Sequence, residues 1–272
     1  MPVRRLENGA RLIAPARAGE GPQIAQGGNF TLEWLTGAGL AREVRSDAET
    51  LVVFVDAPGT LSGDHGEVAV PPMTIAILPP GAYRVTSMAP RDALIIATDR
   101  HAVDGATAIN AEDARDPRIA LPGAQYSRIV PLDGPLLLPI ESLPTPPGNA
   151  RIRFLQTATL SINIVLYDGP RGKAALSPHA HTDIEQGSLA IDGDYVHHLR
   201  TPWGADANAW IDDAHLDAGP DTLLLIPPEL IHTTEGVGQG RHLLLDVFAP
   251  PRADFIAKGW MANAADYRAP IA

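Results

Sequence analysis

The stretch that decides the fold is Ser177-Pro178-His179-Ala180-His181-Thr182-Asp183-Ile184-Glu185-Gln186-Gly187-Ser188-Leu189-Ala190-Ile191-Asp192-Gly193. His179 and His181 stand two apart. On a strand, side chains alternate, so both imidazoles face the same side and can share one cation. A third ligand must come from a strand that the fold brings alongside. His232 fits that place: it follows the apolar run Leu223–Ile226 and the Pro227-Pro228 turn.

Working outward, the chain has 272 residues with 25 Gly and 26 Pro. These fall between short apolar segments around 49–56, 73–78, 93–98, 161–167, 189–191, 222–226 and 243–248. Many short strands divided by turn residues predict an all-β sandwich or barrel. The best helical stretch is 252–265, interrupted by Gly259.

Two segments align without gaps. They are Thr74-Ile75-Ala76-Ile77-Leu78-Pro79-Pro80-Gly81-Ala82-Tyr83-Arg84 and Thr222-Leu223-Leu224-Leu225-Ile226-Pro227-Pro228-Glu229-Leu230-Ile231-His232. Each is an apolar strand, a Pro-Pro turn and a polar residue, followed by a further apolar strand. The repeat predicts two tandem β domains, 1–134 and 150–272, joined by the Pro- and Gly-rich connection 135–149.

Composition narrows the chemistry. With no cysteine the chain holds no disulfide, thiolate metal site or cysteine nucleophile, so a metal must sit on nitrogen and oxygen ligands. The formal net charge of −11 opposes binding to nucleic acid or an anionic membrane. No apolar run approaches the ~20 residues of a membrane span. The first residues, with Arg4, Arg5, Glu7 and Arg11, lack the apolar core of a signal peptide, so the expected location is cytoplasmic.

The two histidine motifs resemble those of the cupin superfamily. Its first motif is Gly, five residues, His-x-His, three or four residues, Glu, six residues, Gly. Its second is Gly, five residues, Pro-x-Gly, two residues, His. Here they read His179-x-His181 with Gly193, and Pro227-x-Glu229 with His232. The resemblance covers roughly 41–99 and 171–248. It implies a bicupin: two tandem double-stranded β-helix, or jelly-roll, barrels, and a dimer. It also implies one divalent transition metal (Fe, Mn, Ni, Co or Zn) in the C-terminal barrel.

The acidic ligand of the family is displaced here. Counting back six residues from Gly193 reaches Gln186, whereas Glu185 leaves seven. Alternation lets only one of the two face the barrel interior. The register favours Gln186 as fourth ligand beside His179, His181 and His232, with Glu185 as the alternative.

In the N-terminal half, Arg84 aligns with His232, and Arg42 and Val44 replace the two histidines. That barrel is expected to be structural. Glu49, Arg42 and Arg84 could instead form a buried ion network or bind an anion.

Three imidazoles and an oxygen leave room for substrate or O₂. The resemblance implies a metal-dependent enzyme acting on a small organic molecule, foremost by a dioxygenase-type reaction. The alternatives are an isomerase or lyase, or a metal-containing binding protein without turnover. An isomerase or lyase needs a general acid or base, for which Glu185 and Tyr195 are the candidates. Arg200, Trp203 and Trp210 could line a pocket or pack as a lid. His197 and His198 must face opposite ways, and His215 is expected in a solvated acidic loop.

Overall fold

The computed structural model describes residues 2–15, 23–35, 41–89, 93–98 and 107–270. Two antiparallel β-barrels follow one another in the chain. In the first, a six-stranded sheet faces a four-stranded one; in the second, a seven-stranded sheet faces a three-stranded one. This is the bicupin architecture, built of two jelly rolls.

The predicted apolar segments all become strands, including Thr50–Phe54, Thr74–Leu78, Ala93–Thr98, Ser161–Asp168, Gln186–Asp192, Leu223–Ile226 and Arg241–Phe248. The repeat is visible in their pairing. Thr50–Phe54 lies between Thr74–Leu78 and Ala93–Thr98. Gln186–Asp192 lies between Leu223–Ile226 and Arg241–Phe248 in the same way.

Hydrogen bonding crosses the sequence division at 135–149 in both directions. Arg11–Ile13, which precedes the first barrel, pairs with Leu223–Ile226 of the second. Leu136–Pro139, which precedes the second barrel, pairs with Thr74–Leu78 of the first. Each barrel therefore lends a strand to the large sheet of the other, which covers an edge that would otherwise be open.

These central strands are apolar on both sides because each side meets a core. Leu51, Val53, Leu223, Leu225, Leu245 and Val247 belong to one large cluster that spans the two barrels. Their neighbours turn the other way. Val52, Phe54 and Ala76 fill the first barrel together with Leu61, Tyr83 and Val85. Leu224 and Ile226 face into the second. Each fully buried leucine contributes about 2 kcal/mol by leaving water. The same alternation runs along Gln186–Asp192: Leu189 and Ile191 join the inter-barrel core, and Ala190 faces the barrel interior beside Tyr195. Gly187 also lies on the inter-barrel side, where a Cβ would stand 2.5 Å from the Phe30 ring.

The expected C-terminal helix is short, Ala253–Ala257. It ends where Gly259 takes a φ of 69°, a conformation that terminates helices readily at glycine. A 3₁₀ turn follows at Ala264–Asp266. Among the described residues no helix is long and apolar enough to cross a membrane.

Candidate metal centre

His179, His181 and His232 come together inside the second barrel, with ligand-capable atoms all within 4.8 Å of one another. His232 lies on the strand Ile231–Gly236 and is buried. The His-x-His pair is not on a regular strand, contrary to expectation. His179 makes an isolated bridge to His232, with the two backbones exchanging N–H···O bonds of 3.1 and 2.8 Å. The amide of Glu229 then donates to the His181 carbonyl at 2.6 Å. Pro178 supplies no amide hydrogen for a longer ladder. The turn, more than a sheet, sets the pair's position.

Backbone carbonyls decide which ring nitrogens are free. Nδ1 of His179 donates to the Ser177 carbonyl, and Nδ1 of His232 to the Leu230 carbonyl, both at 2.9 Å. A carbonyl only accepts, so each Nδ1 carries the hydrogen and each Nε2 keeps its lone pair. Burial pushes the pKa of His232 down to about 3 and that of His181 to about 4. Both rings are neutral at pH 7, as metal ligands must be.

Gln186 completes the group. Its Oε1 lies 2.9 Å from His181 Nε2 and 3.1 Å from His232 Nε2. Its Nε2 donates to Asp246 Oδ1 at 2.8 Å, so the amide is held with oxygen toward the histidines. Asp246 also accepts from Ser188 Oγ at 2.8 Å and from Asn163 Nδ2 at 3.0 Å. Burial raises the Asp246 pKa, opposed by these hydrogen bonds.

Glu185, the alternative ligand and candidate acid or base, turns to the other side of the strand. Its carboxylate binds the Arg11 guanidinium and accepts from the Gly28 amide at 2.6 Å. It is therefore an inter-barrel tie, placed by alternation one residue before Gln186. The hydroxyl of Tyr195 donates to the Asp192 carbonyl at 2.9 Å, and burial raises its pKa. Its ring borders the cavity above the histidines, but its proton is committed elsewhere.

That cavity has a volume of about 460 Å³ and reaches His179, Gln186, His232 and Asp246. Arg252 closes one side, with Nη1 3.2 Å from His181 Nδ1. Neither Asp246 nor Arg252 stands out in the sequence. Each comes to the site through the register of Arg241–Phe248 and the turn that follows it.

The other sequence candidates fall outside the site. Arg200 pairs with Asp213 at 2.5 Å. Trp203 and Trp210 stack on each other at the surface, with ring centroids 4.5 Å apart. His197 faces inward and is buried, whereas His198 is half-exposed. His215 lies on a strand, Ala214–Ala218, and not in a loop; its Nδ1 is 2.7 Å from that of His198.

In the first barrel Glu49, Arg42 and Arg84 do not meet in the ion network that was the alternative to a structural role. Arg84 points outward and pairs with Glu43 at 2.8 Å, while Tyr83 and Val85 face the interior. Arg84 and His232 both stand six residues after the end of the preceding apolar strand. The inward side of Gly81–Ser87 nevertheless carries Tyr83 and Val85, one residue out of step with His232 on Ile231–Gly236. Arg42 pairs with Glu33 at 2.9 Å. Glu49 binds Arg128, the Ala158 amide at 2.8 Å and the Tyr267 hydroxyl at 3.0 Å. Glu49 is thus the counterpart of Glu185: each is a buried carboxylate before a central strand that binds an arginine and accepts from a backbone amide of the other half.

Fold and site together define a chain with the cupin double-barrel fold and a three-histidine group that could hold a divalent transition metal, of the set Fe, Mn, Ni, Co or Zn. Solved structures share the fold. An S161A mutant of Bacillus subtilis oxalate decarboxylase OxdC aligns with a TM-score of 0.52 at 10% identity, covering 90% of this chain and 74% of that one. Lactobacillus farciminis oxalate decarboxylase in a formate complex gives 0.53 at 12% identity, with 92% and 84% covered. AerE from Microcystis aeruginosa gives 0.51 at 8% identity, with 91% and 95% covered. At these identities the likeness is one of fold. No protein-family model and no curated protein matches the chain.

Proposed function

We propose that the chain is a metal-dependent enzyme acting on a small organic molecule at one centre in the second barrel. His179, His181, His232 and Gln186 would hold the metal. One contact carries this proposal: Gln186 Oε1 and His232 Nε2, both acceptors, lie 3.1 Å apart in a buried site. Two buried acceptors at that distance repel unless a cation lies between them. The cavity of about 460 Å³ over the histidines supports turnover rather than a purely structural metal.

When bound, the metal would supply a Lewis-acid and redox centre. The chain's own residues do the positioning. Asp246 orients the Gln186 amide, and the Ser177 and Leu230 carbonyls orient two of the rings. Four neutral ligands leave the charge of the cation uncompensated, which favours an anionic substrate.

A dioxygenase-type reaction fits best, because the protein offers little acid–base help. Glu185 faces away, the Tyr195 proton is engaged, Asp246 holds Gln186, and Asp254 is paired with Arg252. A lyase reaction is the second reading, favoured by the oxalate decarboxylases among the structural neighbours.

The experiment is anaerobic loading with Fe(II) or Mn(II), then parallel measurement of O₂ and CO₂ over a panel of catechols, enols and oxalate. Substrate-dependent O₂ consumption supports the oxygenase. Stoichiometric CO₂ release without net O₂ consumption supports the lyase. No turnover by protein holding one metal per chain would favour a non-catalytic role.

A further inference from the structure

We propose a second cation site on the outer face of the second barrel, where His198 and His215 hold a divalent transition metal such as Zn(II) or Cu(II) through their Nδ1 atoms. It shares no ligand with the centre inside the barrel and does not rest on it.

Strand alternation builds the site. Tyr195–Arg200 pairs with Ala214–Ala218 on one side and with Ile231–Gly236 on the other. Leu199 and Leu216 turn inward to a core cluster, and His197 is buried on the same side. The alternate positions therefore face outward. There His198 stands directly opposite His215 on one neighbour and Thr233 on the other. Glu235, two residues beyond Thr233, shares that face.

Counting hydrogens shows two nitrogens aimed at one point. Nε2 of His198 lies 3.1 Å from Glu235 Oε2. A carboxylate oxygen accepts, so Nε2 donates, and Nδ1 of the neutral ring keeps its lone pair. That Nδ1 is 2.7 Å from Nδ1 of His215, which carries the hydrogen between them. A change of tautomer in His215, with the hydrogen on its Nε2, leaves two lone pairs converging. A carboxylate behind a ligating imidazole fixes its tautomer and raises its basicity, as metal sites require. Two Zn–N bonds at a tetrahedral angle hold their nitrogens about 3.3 Å apart, roughly 0.6 Å wider than here. His215 is exposed and can move outward by that distance.

The surroundings suit a cation with open positions. On this face the carboxylates of Asp213, Asp217 and Glu235 outnumber the charges of Arg200 and Lys173. A cavity of about 410 Å³, lined by His198, His215 and Glu235, has room for water as the remaining ligands. Two imidazoles bind Cu(II) and Zn(II) far more strongly than Mn(II) or Fe(II). Mn(II) and Fe(II) therefore report the inner centre alone, and Zn(II) reports both.

The test is equilibrium dialysis against graded Zn(II), read by elemental analysis, on wild type, His215→Ala, His232→Ala and the doubly substituted chain. Wild type is expected to show two classes of site with one equivalent each. His215→Ala should lose the weaker class only, His232→Ala the tighter only, and the double variant both. Glu235→Gln should weaken the outer class about ten- to a hundredfold and leave the inner one unchanged; if it does not fold, His215→Ala decides alone. A single class in wild type, or a weaker class that survives in His215→Ala, would overturn the inference. Retention of both classes in His232→Ala, with one lost in His215→Ala, would overturn the inner centre and uphold the outer site.

Discussion

Gln186 donates through Nε2 to Asp246 at 2.8 Å, and that bond determines which end of the amide faces the histidines. A side-chain amide otherwise presents oxygen or nitrogen with equal ease. Only the oxygen can ligate a metal. Asp246 is thus a positioning residue for a ligand from which four strands separate it in the chain, and which is adjacent to it in the sheet.

The first prediction follows from that bond. Asp246→Asn should lower metal affinity about ten- to a hundredfold although residue 246 touches no metal. A competition titration with a coloured chelator measures it. An unchanged affinity would mean that the amide orients itself.

Glu185 and Gln186 should separate stability from metal binding. Glu185→Ala leaves Arg11 only the longer 3.6 Å pair with Asp113 and removes the acceptor of the Gly28 amide; it should destabilise the fold by about 3 kcal/mol, read from urea unfolding, with metal content intact. Gln186→Ala should do the reverse, lowering metal occupancy with little change in unfolding midpoint.

His197 should make stability pH-dependent. Burial pushes its pKa down to about 4, against about 6.5 in the unfolded chain. As pH falls below 6.5 the unfolded state takes up a proton that the folded state refuses. Its contribution is therefore full above pH 6.5 and declines as pH drops toward 4, by at most about 3 kcal/mol. Thermal melts of metal-free protein from pH 7 to 4.5 should fall, and less steeply in His197→Phe. Equal slopes in the two proteins would contradict this.

Glu229 occupies the turn position with a φ of 69°, a region costly for a residue with a Cβ. Glu229→Gly should be more stable than Glu229→Ala by about 1 kcal/mol. Both lose the exposed pair with Arg118, so that pair cancels in the comparison.

Much of this was legible in the sequence, through pattern rather than composition. The two-residue spacing of His179 and His181 and the Pro-Pro turn before His232 led to the histidine group. Alternation along Gln186–Asp192 distinguished Gln186 from Glu185. The missed features are long-range. Arg11–Ile13 is too short to announce itself as a strand, so the exchange between barrels could not be read. Asp246 sits in an apolar run where nothing local marks it as a partner of Gln186. Arg84 was misplaced because its strand turns the opposite phase to the interior from that of His232, which the aligned proline turns do not reveal.

The most direct test of the metal centre is elemental analysis of wild type, His179→Ala and His232→Ala, purified identically and reloaded with Fe(II) or Mn(II), with Arg84→Ala as control. One equivalent of metal per chain is expected in wild type and Arg84→Ala, and almost none in the two histidine variants. Full metal retention in both His179→Ala and His232→Ala would contradict the assignment.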